Sequence, residues 1–107
     1  MPNSPVATAA VFAALGDETR LELVSRLCQQ GPASIARLTA GSKISRQAVT
    51  KHLRLMERSG LVRCSRRGRE TVWRLEEQQL KDARRHLKAI SARWDDALTR
   101  LKKFVEE

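Results

Sequence analysis

Aromatic side chains are scarce in this chain, with two tryptophans and two phenylalanines among 107 residues. Capture of unpaired bases needs a platform of such rings, so single-strand binding is poorly supported. The two cysteines, Cys28 and Cys64, are too few for a disulfide framework in a chain of this size. No run comes near the about twenty apolar residues of a membrane-spanning helix, and the N-terminus lacks the basic flank of a signal peptide. A cytoplasmic location, with no membrane partner, is the simplest expectation. A phosphate loop, a paired-carboxylate site and a nucleophile beside a base are also missing, so the chain does not read as an enzyme.

The length suits one domain, and the 41% share of hydrophobic residues argues against disorder. The formal net charge is +9, and its location matters more than its size. Between Lys43 and Arg74 stand ten Lys and Arg against two acids, Glu57 and Glu70; the rest of the chain has eleven against ten. Nearly all the excess charge therefore lies in one segment, which is the electrostatic footprint of a polyanion-binding surface.

That segment contains a helix signal followed by a hairpin signal. Val49, Leu53 and Met56 recur at helical spacing and can share a buried face, with Ser45 as N-cap and Gly60 as C-terminal stop. The outward surface then carries Arg46, Gln47, Thr50, Lys51 and Arg54, side chains of the kinds that reach base edges and phosphates in a major groove. Two strand-like runs follow, Leu61–Ser65 and Glu70–Leu75, joined through Arg66, Arg67, Gly68 and Arg69. A helix followed by a basic hairpin is the sequence form of a winged helix-turn-helix.

Earlier in the chain, Met1–Pro5 reads as a frayed tail and Val6–Leu15 as an alanine-rich helix apolar on more than one side. Asp17 caps a second helix, about Glu18–Gln30, whose expected stripe is Leu21, Val24 and Leu27/Cys28, with Cys28 as a small core residue. Gly31 and Pro32 stop it. Ser34 can cap a short helix, Ile35–Thr39, with Ile35, Ala36 and Leu38 as candidates for burial. The turn from Ala40 to Ile44 then leads into the Ser45 helix, completing a helix-turn-helix over residues 34–58 with a wing over 61–75.

The last segment has a different pattern. Leu80, Ala83, Leu87, Ile90, Trp94, Ala97, Leu101 and Phe104 are spaced alternately three and four apart, a heptad seam with no Gly or Pro inside it. A helix of about 30 residues is about 45 Å long, more than a domain this small covers by itself. A second copy of the chain is the expected partner, through Leu80, Leu87, Ile90, Trp94, Leu101 and Phe104. The expected fold is mostly α with a small β-hairpin wing, dimerising through helices at residues 6–15 and 76–107.

The run ALGDETRLELVSRL, then SRQAVTKHLRLMERSGLV and a hairpin ending in TVWRL, resembles the ArsR-type winged-helix repressors of bacteria. The resemblance spans about Val11 to Leu75. It implies a homodimer that binds double-stranded DNA near a promoter and releases it on a signal. Carried over by position, Ser45, Arg46, Gln47, Thr50, Lys51 and Arg54 match the DNA-facing helix, and Arg66, Arg67 and Arg69 the wing tip. Independently of the resemblance, Lys43, in the turn before Ser45, is expected to hold the DNA backbone. The metal sites of the family do not carry over: no cysteine lies between Ser45 and Arg58, Asp82 is followed by Ala83 and Arg84, and the Trp94–Ala97 stretch offers no histidine. No metal and no cofactor is expected, and the effector is unknown.

Other candidates read as structural. Asp82 and His86, four apart, are expected to be an exposed helix pair, since Arg84, Arg85 and Lys88 around them would repel a cation. His52 is expected to pack near the hairpin or bond to backbone. Cys64, among Arg63, Arg66 and Arg67, is a candidate thiol switch if exposed. Trp73 and Trp94 read as core and interface anchors. A protein-interaction module, using the winged helix and heptad helix without DNA, is the competing reading.

Overall fold

The computed structural model describes residues 5–106. The order of elements is α1 (Pro5–Leu15), α2 (Glu18–Gln30), β1 (Ala33–Ser34), α3 (Ile35–Thr39), α4 (Arg46–Arg58), β2 (Val62–Arg67), β3 (Glu70–Leu75) and α5 (Glu77–Glu106). Of the expected tail, Met1 to Ser4 lie outside the described residues and Pro5 opens α1, where its fixed φ suits a first helical turn.

Side-chain caps define the starts of α2, α3 and α4. Asp17 accepts from the Arg20 N–H at 3.0 Å, Ser34 from Arg37 at 3.3 Å and Ser45 from Ala48 at 3.1 Å. Each satisfies a donor that the first helical turn leaves without a partner. Two residues, Gly68 and Arg69, join β2 to β3, with Arg67 paired to Glu70. Gly68 has φ +61°, the positive value required at the first central position of such a turn.

The hairpin is part of a three-stranded antiparallel sheet ordered β1-β3-β2. Strand β1 has no counterpart in the sequence reading: two residues are too few to show an alternation, and their pairing with Val72 and Trp73 is remote in sequence. Strand β2 is also shifted relative to expectation. It begins at Val62 and runs through Arg66 and Arg67, because those arginines pair with Thr71 and Glu70.

The core lies where α1, α2, α3, α4 and the sheet meet, and it includes Val11, Leu27, Leu38, Val49, Leu53, Met56, Leu61, Val62 and Trp73. Burying a side chain such as Leu53 contributes about 1.5–3 kcal/mol, so α4 is fixed chiefly by its inner stripe. On α2 the buried stripe is Leu23, Val24 and Leu27. Leu21 and Cys28, expected in that stripe, are exposed. Leucines at 21, 23 and 27 permit two faces, and packing against β3 and α4 selects the one with Leu23. On α3, Leu38 is buried and Ile35 packs against the core, whereas Ala36 is exposed.

Helix α5 meets the rest of the molecule only near its start. Ala83 is buried and Leu80 packs against the core, so these two seam positions are turned to the protein's own body. Asp82 is buried as well, contrary to the expected exposed pair with His86. Its Oδ1 accepts from Gln78 Nε2 at 3.1 Å, with the Arg85 guanidinium 4.0 Å away. From Leu87 onward the described residues of α5 are all exposed, and the molecule measures 66 × 33 × 20 Å.

Candidate nucleic-acid interface

The inner stripe of α4 determines what its other face presents. With Val49, Leu53 and Met56 against the core, helical spacing places Gln47, Lys51, Arg54 and Arg58 opposite them, and all four are exposed. Arg46 and Thr50 flank that row on one side; Ala48, His52 and Leu55 flank it on the other. An open groove runs along this surface, lined by Gln47, Lys51, Arg54, Leu55, Arg58 and, from α2, Arg20.

Most of the cations here are uncommitted. Among the described residues, no carboxylate pairs with Lys43, Arg46, Lys51, Arg58, Arg66, Arg67 or Arg69. The arginines at the hairpin tip are exposed, and Arg66 Nε donates to the Gly68 carbonyl at 3.4 Å. Such a surface repels itself unless a polyanion neutralises it.

Not every candidate points outward in the same way. The Thr50 hydroxyl donates to the Arg46 carbonyl at 2.8 Å, so its oxygen is already engaged by its own helix. Arg54 Nη1 donates to Glu57 Oε1 at 3.0 Å and lies 3.7 Å from Cys64 Sγ. The Cys64 thiol donates to Glu57 Oε2 at 3.2 Å. Its partners are therefore Glu57 and Arg54 rather than the neighbouring wing arginines. That thiol hydrogen bond, and then Arg54, hold the Glu57 carboxyl below its ordinary value of 4.5.

His52 packs toward α2, not toward the hairpin. Its Nδ1 lies 3.5 Å from a guanidinium nitrogen of Arg20, whose Nε donates to the Ala14 carbonyl at 2.6 Å. Arg20 thus bridges the end of α1, α2 and α4. The sequence reading missed both Arg20 and Arg58 at this surface. Arg58 was accessible to it, being four residues after Arg54 and seven after Lys51; Arg20 reaches the groove only through the fold. Among the described residues, no group of three or more His, Cys, Asp or Glu side chains could hold a metal ion, and no helix is long and apolar enough to cross a membrane.

Comparison with known proteins gives a consistent family. Residues 15–65 match the family described as Helix-turn-helix domain. YuzN of Bacillus subtilis (strain 168), an HTH-type transcriptional regulator, is 34% identical over 79 residues, covering 68% of this chain and 86% of that protein. An ArsR-like transcriptional regulator from Rhodococcus sp. RHA1 superposes with a TM-score of 0.75 at 37% identity, over 92% of each chain. The transcriptional repressor BigR from Xylella fastidiosa superposes with a TM-score of 0.61 at 28% identity, over 71% of this chain and 74% of BigR. These relatives are regulators of transcription, not enzymes.

Proposed function

The chain belongs to the ArsR-type winged helix-turn-helix family and is a DNA-binding transcriptional regulator, and from that premise we propose that it is a homodimeric repressor of a pseudo-palindromic operator. One observation carries the reading: α4 and the hairpin tip expose Arg46, Lys51, Arg58, Arg66, Arg67 and Arg69, and among the described residues no carboxylate pairs with any of them. In this reading α4 lies in the major groove. Arg46 contacts guanine and Gln47 contacts adenine, while Thr50, its hydroxyl engaged, offers its methyl to a thymine methyl. Lys43, Ser45, Lys51, Arg66, Arg67 and Arg69 hold the sugar-phosphate backbone and set the salt dependence. The similarity to BigR supports repression rather than activation.

Dimerisation would proceed through the exposed seam of α5, with Leu87, Ile90, Trp94, Leu101 and Phe104 facing the same residues of a second copy. Two α4 helices would then sit about 34–36 Å apart, one turn of the duplex. Leu80, already packed on the core, contributes only at the margin.

Selection of bound sequences from a pool of random duplexes tests this directly. An inverted repeat with half-site centres about 10 base pairs apart is expected. In the same assay Gln47→Ala should relax preference at one position of each half-site, by about 1–3 kcal/mol of discrimination. A pool that shows no enrichment after several rounds contradicts sequence-specific recognition.

A further inference from the structure

Arg54 stands in the middle of the outward row of α4, yet its guanidinium is folded back onto the protein. The guanidinium carbon lies 5.0 Å from the centroid of the Trp73 ring. Cys64 and Trp73 face each other across β2 and β3, so the hairpin register delivers both to one face of the sheet, under this one side chain. Glu57 closes the arrangement: Oε1 accepts from Arg54 on its own helix, and Oε2 accepts from Cys64 on the hairpin. Four side chains from α4, β2 and β3 thus form one connected cluster at the root of the wing.

The chemistry of this cluster is that of a clamp. A guanidinium over an aromatic ring with a carboxylate on Nη1 is held in place on one side, although the Arg54 side chain stays about half exposed. Reaching out to a guanine would forfeit both contacts. Arg54 also differs from its neighbours on the outward face, because it is the cation there with an ion-pair partner among the described residues. The hairpin tip lies about 10 Å beyond Cys64, three residues at the strand rise, so a tilt at the root is magnified at Arg66 and Arg67.

We propose that Arg54 and Glu57 are positioning residues that set the angle of the wing against α4, and that Arg54 reads no base. The distance between the base contact of Gln47 and the backbone contact of Arg67 is then fixed by a clamp that itself touches no base. This proposal rests on the reading of α4 and the wing as one DNA-binding unit, and it specifies how the two halves are held in register.

The test compares wild type, Arg54→Met, Glu57→Gln and the double variant, with two readouts. The first needs no DNA: hydrogen exchange of the β2 and β3 amides, which should speed up in both single variants while far-UV circular dichroism stays unchanged. The second is binding to the selected duplex and its single-base variants, with hydroxyl-radical protection of the backbone. Each single variant should weaken binding about 3- to 10-fold, keep the rank order of the base variants and lose protection at the wing flank. The double variant should be no worse than either single one, because both break the same clamp. Hairpin exchange unchanged in both variants overturns the proposal. So does an Arg54→Met protein that loses preference at one base pair while Glu57→Gln binds as well as wild type. Wild type binding all duplexes alike would instead overturn the DNA reading, and the exchange data would still decide the clamp.

Discussion

Helices α4 and α5 are both amphipathic, but the molecule treats their apolar faces in opposite ways. The 13 residues of α4 include three that are buried, and its apolar stripe is fully covered by its own chain. The 30 residues of α5 include only Asp82 and Ala83 as buried positions, both near its start. Beyond them Trp94 is 64% exposed and Phe104 76%. What α4 leaves over is a polar, basic face; what α5 leaves over is an apolar seam. Each helix therefore asks for a different partner, a polyanion in one case and another apolar surface in the other.

The largest expected effect breaks the α5 half of this comparison. Trp94→Glu places a charge in the seam and should convert a dimer into monomers by sedimentation equilibrium. Affinity for a duplex with two half-sites should fall about 100-fold, since the second half-site is no longer bound at high effective concentration. A variant that remains dimeric would move the interface elsewhere.

Next come paired truncations of the two apolar faces. Leu53→Ala should cost about 2–5 kcal/mol in denaturant unfolding at every protein concentration, because it opens a cavity within one chain. Leu101→Ala should destabilise by an amount that depends on protein concentration, as expected for a contact made between copies. Equal and concentration-independent losses would remove the distinction between the helices.

A smaller effect belongs to the wing. Arg67→Ala should weaken specific and random duplexes alike and reduce the slope of log affinity against log salt by about 0.9. An effect confined to one sequence would sink its assignment to the backbone.

The smallest concerns pH. The folded carboxyl of Glu57 is depressed below 4.5, so its contribution is complete above that value and is lost as pH falls through the lower folded one. The stability gap between wild type and Glu57→Gln should therefore be flat between about pH 6 and 8 and shrink in acid. A gap that stays constant into acid would show that ionised Glu57 contributes nothing to the clamp.

These contrasts also show which features were legible in the sequence. Helix starts were, because Asp17, Ser34 and Ser45 act on donors two or three residues away, and a local device leaves a local signal. The same holds for the Gly68 turn and for the inner stripe of α4, where Val49, Leu53 and Met56 allow one face only. Pairings between remote residues left no such signal. Strand β1, the burial of Asp82 and the exposure of Leu21 and Cys28 depend on which elements meet. Within the candidate interface, the exposure of Gln47, Lys51 and Arg54 followed from helical spacing, and the same spacing extended one turn would have included Arg58. The folding back of Arg54 did not follow from it, because it depends on the register that sets Cys64 opposite Trp73.

The most direct test of the central claim is fluorescence anisotropy of the purified protein on DNA from immediately upstream of its own gene. Scrambled DNA of equal length serves as control, at two salt concentrations and with chelator present. The account predicts tight binding that prefers the upstream duplex, survives chelator and weakens as salt rises. Weak and equal binding to both duplexes would contradict it, leaving the basic face of α4 as unspecific charge and the seam of α5 as the surface that defines this protein's partners.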